Sequence, residues 1–599
     1  MLLLSCRFRI KADLKNIETI MLLCSSLRGA QQHFYMARVD RNCVYFCNCC
    51  ATIKTVQTEE RNGSAMIRIS QIKIAAKKAQ TQALEQEIRR LLHVKPQTKL
   101  QYQIIKKSID ARKKESIFCI YTVDVAGLAN EAKVVQKCRR NTITIAPSEA
   151  VSEPVAGQGI LRQRPVVIGA GPAGLFAALL LAERGYRPLL LERGQDVDTR
   201  TADVERFWQT GILNVHSNVQ FGEGGAGTFS DGKLNSVIKD PRCRQVLETF
   251  VRFGAPKEIL YQAKPHIGTD RLKQVVKNMR QAILAAGGQV RFCSQVTALQ
   301  MEHGLLTGIE INGSQQIAAD VAVLAIGHSA RDTFASLHGQ HIAMEPKAFA
   351  IGVRVEHLQK LINLAQYGME QPYAHLGAAD YKLTYQASNG RAVYSFCMCP
   401  GGQVVAAASE DGLLAVNGMS LLARDGANAN SALVVNVTPE DFPSDDVLAG
   451  VEFQRHWERL AYQLSGSYQA PVQLVGDFLA DKKSTAFGSV QPTYRPGTVF
   501  AELKHCLPAF VVEALREAIP VFGQKIAGCD AADAVLSGVE TRTSSPVRIV
   551  RNDQYQSPSA AGLYPCGEGA GYAGGIMSAA VDGLRIAGKI IETYQPFSK

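Results

Sequence analysis

The chain has 599 residues, of which 46% are hydrophobic and 20% charged, and its formal net charge is +12. This length is enough for a large core and for about three or four structural units. Charged residues such as Glu183 and Arg184 interrupt the longest apolar run, so we expect a soluble protein without a membrane span. The basic excess is uneven, because residues 1–150 contain 26 Lys and Arg against 12 Asp and Glu. A solvated basic face is the simpler interpretation of this excess, and an anionic partner is the alternative.

The first 65 residues show little hydrophobic periodicity and hold six of the fifteen cysteines. We interpret residues 1–65 as a disordered or non-native extension ahead of a natural start at Met66. Cys43, Cys47, Cys49 and Cys50 lie close together in sequence, but they do not form the two Cys-x-x-Cys motifs typical of zinc sites. We therefore predict no metal site at these four cysteines. The apolar start is too short for a secretory signal, so we expect a cytoplasmic protein whose cysteines are mostly thiols.

Residues 66–146 predict a small α+β domain. Alternating isoleucines from Ile67 to Ile74 indicate a strand, and residues 77–92 have the composition of a surface helix whose apolar positions are Ala79, Ala83, Ile88 and Leu91. Two strands follow at residues 100–105 and 117–125. After them come a helix that ends at Cys138 and a last strand at residues 142–145. This βαββαβ order is typical of a ferredoxin-like domain, and a linker rich in Pro and Gly follows at 147–163.

The most informative segment, residues 164–192, has the order of a complete dinucleotide-binding βαβ unit. An apolar strand is followed by Gly169, Gly171 and Gly174, then by an alanine-rich helix and a second strand that ends at Glu192. The three glycines allow a tight turn, a close approach of the backbone to a pyrophosphate, and close packing of helix on strand. The helix N-terminus attracts phosphates, and the Glu192 carboxylate can accept hydrogen bonds from ribose hydroxyls.

A second run with the same glycine spacing, at residues 222–227, lacks a long apolar strand before it and an apolar helix after it. We therefore do not interpret it as a second nucleotide site. We expect a loop whose N–H groups face cofactor or substrate, with Thr228, Ser230 and Asp231 as polar neighbours. A flexible turn is the alternative.

The rest of the chain predicts an interrupted α/β domain. Strands are expected at residues 290–299, 305–311 and 321–326, the last ending in Gly327 and His328. Longer strands, loops and isolated helices at 333–539 suggest an inserted substrate or cap domain. A strand, a glycine-rich loop and a helix close the chain from residue 562. The predicted fold is thus a Rossmann-like α/β domain, formed by residues 164–332 and 540–599 and interrupted by the cap.

Several further segments resemble a known family. They are residues 221–234, 327–332, 352–357, 397–402 and 539–548. Together with the opening and closing glycine-rich units, they are similar to the poorly characterised bacterial-type FAD-dependent dehydrogenases, within the glutathione-reductase-like class of FAD-binding flavoproteins. The resemblance extends from about Met66 to the C-terminus and leaves the first 65 residues outside.

The resemblance implies FAD as the cofactor. In this class the closing unit places an acid near the ribityl and pyrophosphate region, and Glu568 occupies that position where many relatives have aspartate. The helix N–H groups around residues 575–577 would stabilise the negative charge of reduced flavin. The predicted FAD-binding residues are Gly169, Gly171, Pro172, Ala173, Gly174, Glu192, Arg193, Gly225, Thr228, Val296, Gly327, Gly567, Glu568, Gly575 and Ile576.

Hydride transfer to a flavin needs no protein nucleophile, so the remaining chemistry is substrate positioning. The candidates for holding an anionic or carbonyl substrate are Arg354, Arg542, His328 and Lys233. The two arginines are favoured because a guanidinium binds a carboxylate at two points. Cys397 and Cys399 form Cys-x-Cys and not the Cys-x-x-Cys of many redox pairs, so we expect a small buried pair.

The sequence therefore predicts an FAD-dependent oxidoreductase that acts on a small molecule and exchanges electrons with an unidentified donor or acceptor. No second glycine-rich βαβ module supports a dedicated NAD(P) domain, although transient use of a nicotinamide is compatible with the chain. One alternative is a flavin-containing RNA-associated protein that uses the basic residues 106–114, but no aromatic platform accompanies them. The other is a non-redox protein with structural FAD.

Overall fold

The computed structural model describes residues 36–39, 42–45, 66–128, 130–147 and 153–597. The chain divides into two units, Met1–Ala65 and Met66–Lys599. In the first unit, strands β1 (Met36–Val39) and β2 (Asn42–Tyr45) pair antiparallel. Beyond these two strand backbones, the predictions for residues 1–65 and their cysteine side chains lie outside the described residues.

The second unit begins with a four-stranded antiparallel sheet covered by two helices. The elements are β3 (Ile67–Ala75), α1 (Gln80–Leu92), β4 (Gln101–Asp110), β5 (Phe118–Ala126), α2 (Glu131–Cys138) and β6 (Ile143–Ile145). The strands lie in the order β4-β5-β3-β6, and every neighbouring pair is antiparallel. The predicted βαββαβ element order is confirmed.

A bulge in β3 explains the break in its isoleucine spacing. The pairing of β3 with β5 shifts register between Ile69 and Ile72, and Gln71 has a φ of 60°. The extra residue returns the side chain of Ile72 to the core face, so that Ile67, Ile69 and Ile72 are all buried. In α1 the helix begins three residues later than predicted, and Leu84 is buried while Ala79 precedes the helix and is exposed.

A five-stranded parallel sheet forms the centre of the second unit. Its strands are β7 (Val166–Ile168), β8 (Leu189–Leu191), β9 (Gln289–Arg291), β13 (Ala322–Leu324) and β25 (Leu563–Pro565), in the order β25-β13-β7-β8-β9. The chain leaves β7 for β8 on one side and returns through β13 on the other. This change of direction is a topological switch point, where ligands of open α/β sheets bind.

Six helices accompany this sheet. They are α3 (Pro172–Glu183), α4 (Val197–Thr210), α5 (Arg242–Arg252), α6 (Thr269–Ala285), α7 (Arg331–Gly339) and α12 (Ile576–Thr593). Helix α3 is apolar on all sides, and it packs closely on α12. A Cβ atom added to Gly583 would lie 2.1 Å from the carbonyl oxygen of Ala173, so only glycine permits this approach.

Between β9 and β13 lies a three-stranded antiparallel sheet of β10 (Val296–Glu302), β11 (Leu305–Ile311) and β12 (Gln315–Ala318). The prediction of a single strand at residues 290–299 was wrong, because the two ends of this segment belong to different sheets. The chain breaks between β9 and β10, where Cys293 has a φ of 51°. Periodicity alone gives no signal for such a turn at a non-glycine residue.

A seven-stranded sheet forms most of the predicted cap, in the order β16-β17-β20-β15-β23-β21-β22. Its strands are β15 (Phe349–Leu358), β16 (Thr384–Gln386), β17 (Ala392–Cys399), β20 (Asn428–Val437), β21 (Ala470–Leu474), β22 (Thr498–Phe500) and β23 (Val535–Glu540). The cap helices are α8 (Gln359–Tyr367), α9 (Ala449–Ser465), α10 (Val475–Leu479) and α11 (Ala509–Lys525).

Two short antiparallel pairs complete the fold: β14 (Met344–Pro346) with β24 (Val547–Ile549), and β18 (Gln403–Ala406) with β19 (Val416–Met419). The first pair joins the two ends of the cap segment. The predicted boundaries at 332/333 and 539/540 fall inside α7 and β23, because these elements continue past the change in sequence pattern. In the described part of the chain, no helix has both the length and the apolar character needed to cross a membrane.

Candidate cofactor and substrate site

Three distant segments meet at the carboxyl ends of the central parallel strands. The N–H of Ala325 donates to the carbonyl of Ile168 at 2.8 Å, and the N–H of Cys566 donates to the carbonyl of Leu324 at 3.0 Å. The residues that follow these strands include Gly169, Gly327 and Gly567. The opening motif, the middle strand and the closing unit therefore border one crevice at the switch point.

The opening glycines have the distinct geometries that the sequence predicts. Gly169 has a φ of 102°, and an added Cβ would lie 2.3 Å from the Ala325 carbonyl oxygen. A Cβ on Gly174 would lie 1.9 Å from the carbonyl oxygen of Gly169, so this residue permits helix-to-strand packing. At Gly171 the nearest atom to an added Cβ is the Gly225 Cα, at 3.8 Å. A Cβ at Gly171 would therefore make an ordinary van der Waals contact without a clash.

The second glycine loop lies between the opening motif and the closing helix. The N–H of Gly224 donates to the carbonyl of Ala170 at 2.8 Å, and an added Cβ on Gly225 would lie 3.0 Å from the Gly171 Cα. A Cβ on Gly227 would lie 2.9 Å from the Ile576 side chain. The loop continues into a 3₁₀ turn at Ala226–Phe229 that includes the buried Thr228, and not into a long helix, in agreement with the sequence interpretation.

One buried arginine, which the sequence analysis missed, fixes this loop. Arg200 on α4 is 0% exposed, and its guanidinium donates to the carbonyls of Asn218, Val219, Gly222, Glu223 and Gly225 at 2.7–3.2 Å. Burial lowers the pKa of Arg200 to about 10, which still leaves it charged at neutral pH. Its partners are backbone groups, so no pattern of side chains signals the contact.

Glu192, the residue that follows β8, already accepts hydrogen bonds from several backbone N–H groups. The Glu192 carboxylate accepts from the N–H groups of Gly194 and Gly222 through Oε1, both at 2.9 Å, and of Ala170 through Oε2 at 2.8 Å. A carboxylate has about four acceptor positions, so one is free for a ribose hydroxyl. The neighbouring Arg193 forms a bidentate pair with Asp332 at 2.8 Å and stacks over Phe221. Val296 is buried at the start of β10.

The closing unit is fixed by a buried ion pair that the sequence analysis also missed. The N–H of Gly567 donates to Asp582 Oδ2 at 2.8 Å, and Arg551 binds both oxygens of Asp582 at 2.8 and 2.9 Å. Arg551 also donates to the carbonyl of Pro565 at the end of β25. Asp582 lies in the second turn of α12, so the pair connects that helix to the glycine-rich loop.

The crevice fits an extended nucleotide cofactor. Cβ atoms added to Gly327, Gly574 and Gly575 would meet no atom within 4 Å, and the Ile576 that follows Gly575 is buried. Helix α3 begins with Pro172 and Ala173, and α12 begins with Ile576; neither has a side-chain cap at its N-terminus. Uncapped N-termini beside open glycine backbone are suited to phosphate and to reduced flavin.

Glu568 titrates unusually at this crevice. Burial raises its pKa from the ordinary value of 4.5 to about 7, and the N–H of Gly575 and the ammonium of Lys347 only partly oppose the shift. A carboxyl with a raised pKa stabilises the fold while protonated, and this contribution is lost as the pH rises through the folded pKa.

We therefore expect Glu568→Gln to change the pH dependence of stability in the FAD-free protein. The variant and the wild type should melt alike below about pH 4.5, the variant should become progressively the more stable protein as the pH rises from 4.5 to 7, and the difference should level off above 7. Thermal denaturation at pH steps from 4 to 8 measures the difference. A difference that stays constant across this range would contradict the raised pKa.

Among the predicted substrate residues, Arg542 and His328 lie at one buried ion network. Glu458 on α9 is 0% exposed and binds Arg331 at 2.7 Å and Arg542 at 2.9 Å. Although burial opposes it, the two guanidinium groups hold the pKa of Glu458 well below its usual range. Burial and the same two cations lower the pKa of His328 to about 3. His328 is therefore neutral at physiological pH. Its side chain carries no positive charge that could attract an anionic substrate, in contrast to the role considered from the sequence.

The side chains of Arg354, on β15, and of Lys233 contact the C-terminal end of β17. Of the two cysteines there, Cys399 is buried but Cys397 is exposed, so the prediction of a small buried pair was wrong. Arg354 is fully buried; Nε donates to Asn430, Nη1 to both oxygens of Glu540, and Nη2 to the carbonyl of Cys397 and to Cys399 Sγ. These contacts engage the whole guanidinium, so the predicted substrate contact of Arg354 is replaced by a structural role. Lys233 donates to the Met398 carbonyl and lies 3.4 Å from Asp231. Within the described residues no group of three His, Cys, Asp or Glu could hold a metal ion.

Three family models match parts of the chain. Residues 348–543 match "FAD-dependent protein, C-terminal domain-like", residues 167–220 match an "NAD(P)-binding Rossmann-like domain", and residues 66–126 match a domain of unknown function. An uncharacterised protein of Clostridium beijerinckii is 53% identical over 513 residues, which cover 85% of this chain and 96% of that protein. This chain belongs to the same family, that of the FAD-dependent oxidoreductases. The enzyme uses FAD, and the mixed α/β fold contains the Rossmann-like domain expected for it.

The FAD-dependent oxidoreductase also matches solved structures at low similarity. A geranylgeranyl bacteriochlorophyll reductase-like protein of Thermoplasma acidophilum is 13% identical, with a TM-score of 0.32 and coverage of 71% of this chain and 77% of that one. Glycerol-3-phosphate dehydrogenase of Bacillus halodurans, complexed with FAD, is 12% identical, with a TM-score of 0.30 and coverage of 72% and 63%. Likenesses of this size add no argument about the enzyme.

Proposed function

We propose that FAD lies along the crevice between the opening glycines and the N-terminus of α12, and that a small anionic or carbonyl substrate binds between this crevice and the cap. The observation that carries the proposal is the glycine backbone along the crevice: an added Cβ would meet no atom within 4 Å at Gly327, Gly574 or Gly575, and at Gly171 it would meet only the Gly225 Cα, at 3.8 Å. The pyrophosphate would lie at Gly171, Pro172, Ala173 and Gly225, the ribose at Glu192, and the flavin near Gly567, Glu568, Gly575 and Ile576.

We infer the glutathione-reductase class for the central domain, because the strand order and the three crevice segments agree with the arrangement that the sequence resemblance implies. We also propose that residues 66–146 are a ferredoxin-like domain, that 147–163 is a linker, and that the cap is inserted between β14 and β24. The pairing of these two strands supports the last boundary.

Arg542 is the positioning group that the geometry supports best. Its Nε and Nη2 donate to Glu458, and Nη1 donates to Ser409, so three of its five N–H groups are engaged. Two N–H groups remain for a carbonyl or carboxylate oxygen. The buried carboxylate of Glu458 holds the guanidinium in one orientation, which limits the ordering cost of substrate binding.

When bound, FAD supplies a hydride acceptor or donor. The residues of this chain bind it, orient the substrate and exclude water. Anaerobic mixing of the purified yellow holoprotein with candidate donors, nicotinamides included, tests the proposal by loss of the oxidised-flavin absorbance. We expect at least one small-molecule donor to bleach the flavin. A protein that binds no FAD would overturn the site, and a flavin that only artificial reductants bleach would favour a structural cofactor.

For the donor that bleaches the flavin, we expect Arg542→Lys to raise KM by about tenfold to a hundredfold, because lysine keeps the charge beside Glu458 but lacks the guanidinium N–H pair. The kcat should change much less. The matched control is Arg455→Lys, whose arginine also pairs with the network through Glu410 but is 26% exposed. Equal KM values for Arg542→Lys and the control would remove the positioning role.

A further inference from the structure

A short chain of hydrogen bonds connects the cap with His328, the residue that follows Gly327 at the crevice. Gln220 Nε2 donates to the carbonyl of Ala407 at 3.3 Å. Ser329 Oγ lies 3.1 Å from Gln220 Oε1 and 2.9 Å from His328 Nδ1. Gln220 and Ser329 are 7% and 5% exposed, so these contacts are largely sheltered from water.

This chain fixes which ring nitrogen of His328 carries the hydrogen. Only the NH₂ group of Gln220 can donate to the Ala407 carbonyl, so the amide oxygen Oε1 faces Ser329 as an acceptor. The Ser329 hydroxyl has one hydrogen, and it must donate to Oε1, because two oxygen atoms this close would otherwise repel each other. Ser329 Oγ then accepts from His328. The neutral ring therefore carries its hydrogen on Nδ1 and keeps a lone pair on Nε2.

The Nε2 atom of His328 is available to a ligand. The ring is half-buried, with its Nδ1 edge against the buried Ser329. In the described part of the chain Nε2 forms no hydrogen bond, and it remains accessible to solvent. A lone pair accepts a hydrogen bond and cannot donate one, so the partner of Nε2 must carry an O–H or N–H group.

The buried ion network places His328 close to Arg542. Arg331 lies three residues after His328 and binds Glu458 at 2.7 Å, and Glu458 binds Arg542 at 2.9 Å. Arg542 is also one of the cations that lower the pKa of His328. The contact route through Arg331 and the charge of Arg542 thus agree on the proximity of the two side chains.

The cap segment at residues 407–409 provides a second route between the same two side chains. Its first carbonyl accepts from Gln220, which belongs to the hydrogen-bond chain of His328. Two residues later, Ser409 accepts from Arg542 Nη1. The lone pair of His328 and the two free N–H groups of Arg542 therefore border one site between the crevice and the cap.

The charges around His328 determine which donor suits Nε2. Burial lowers the pKa of the ring, and Arg542 and Arg331 lower it further, while the single carboxylate of Glu458 opposes them. A substrate ammonium at Nε2 would meet the same two cations that disfavour an imidazolium. A hydroxyl carries no charge, so it is the donor that this position favours.

We propose that His328 Nε2 accepts a hydrogen bond from the hydroxyl of a small hydroxy acid whose carboxylate binds Arg542. The proposal rests on the anion site proposed at Arg542 and names its substrate class. His328 determines specificity, and Ser329 and Gln220 are positioning residues that hold its tautomer. A 2-oxo acid would direct a carbonyl lone pair at the lone pair of Nε2, so the site distinguishes a hydroxyl from a carbonyl at this position.

Nitrogen NMR tests the tautomer without a substrate. The yellow holoprotein is labelled with nitrogen-15 histidine, and the His328 signals among those of the twelve histidines are identified by their loss in His328→Phe. We expect Nδ1 to be protonated and Nε2 to be unprotonated between pH 5 and pH 8. In Ser329→Ala we expect a mixture of both tautomers. An Nε2-protonated ring in the wild type would overturn the proposal.

Ser336→Ala is the matched control for this measurement. Ser336 on α7 also donates a hydrogen bond from its hydroxyl, in this case to the carbonyl of Thr297. Its loss should leave the His328 signals unchanged. A change of tautomer in both serine variants would show a general disturbance of this region and would remove the positioning role of Ser329.

Calorimetric titration of the oxidised holoprotein with acetate, glycolate and glycine tests the ligand class. We expect glycolate to bind about twofold to tenfold more tightly than acetate, which is the effect of one added hydrogen bond, and glycine to bind no more tightly than acetate. His328→Phe should abolish the preference for glycolate and leave acetate binding unchanged. Ser329→Ala should reduce this preference, which keeps the test valid if His328→Phe does not fold.

The outcomes separate this inference from the proposed function. Equal affinities of the wild type for acetate and glycolate, or a preference for glycolate that persists in His328→Phe, would overturn the role of His328 and leave the anion site at Arg542 in place. Absence of binding of both acids, or acetate binding as tight in Arg542→Lys as in the wild type, would overturn the anion site and this inference with it.

Discussion

Replacing Gly171 by valine should abolish FAD binding and leave the fold of the FAD-free protein intact. Gly171 has a φ of −73°, which valine adopts readily, and the nearest atom to its Cβ is 3.8 Å away. The added Cβ therefore reaches only ordinary van der Waals distance from the protein, and we expect the valine branches to occupy the space proposed for the pyrophosphate. The measurements are flavin absorbance per chain after purification with added FAD, and the melting temperature of the apoprotein.

Two glycine variants make this result specific. Gly339→Val also adds a side chain to open space, at the end of α7, and should retain FAD. Gly174→Val places the Cβ 1.9 Å from the Gly169 carbonyl oxygen, so it should lower the melting temperature as well as FAD content. Full flavin occupancy in Gly171→Val would show that the pyrophosphate lies elsewhere. A loss of apoprotein stability equal to that of Gly174→Val would show that the valine clashes with the protein at position 171.

Arg200→Met should destabilise the protein and remove bound flavin together. Methionine fills much of the volume, but all five carbonyls lose the guanidinium, and among the described contacts those of Asn218 and Val219 have no other donor. Buried acceptors without partners cost about 1–3 kcal/mol each, so we expect a loss of at least about 2 kcal/mol in the free energy of unfolding. The glycine loop also contacts Gly171 and Ile576, and its release opens the crevice at both positions.

Urea denaturation of the apoprotein and flavin content of the purified protein measure the two effects. Arg206→Met is the matched control, because Arg206 lies on the same helix, is 53% exposed and pairs only with the nearby Asp203 among the contacts described for it. It should change the free energy of unfolding by less than about 1 kcal/mol. Retention of FAD by a destabilised Arg200→Met protein would show that the glycine loop does not border the cofactor.

The local sequence determined much of the cofactor side of this enzyme. Three glycines with three different steric requirements are spaced along one strand and helix, so the amino-acid pattern alone assigns a separate role to each of Gly169, Gly171 and Gly174. The same holds for the βαββαβ order of residues 66–146. In each case the signal is short in range, because periodicity and turn chemistry depend on neighbours along the chain.

The substrate side needed the tertiary structure. Arg354 and Arg542 are alike in sequence, but Glu540, Asn430 and the Cys397 carbonyl engage all of Arg354, while Arg542 keeps two N–H groups. Likewise, the neutral state of His328 follows from burial and from cations brought to it by folding. A side chain's free donors and its pKa are set by partners far away in the chain, so no local pattern contains them.

The amino-acid pattern alone was enough to predict a nucleotide cofactor at the start of a Rossmann-like domain and a return of the chain to this domain near its end. Which polar groups border the crevice and which have a structural role became visible in the folded protein. Arg200 and Asp582 show the reason. Their roles depend on backbone carbonyls and on a distant arginine, and these contacts arise when segments far apart in the chain are brought within hydrogen-bonding distance.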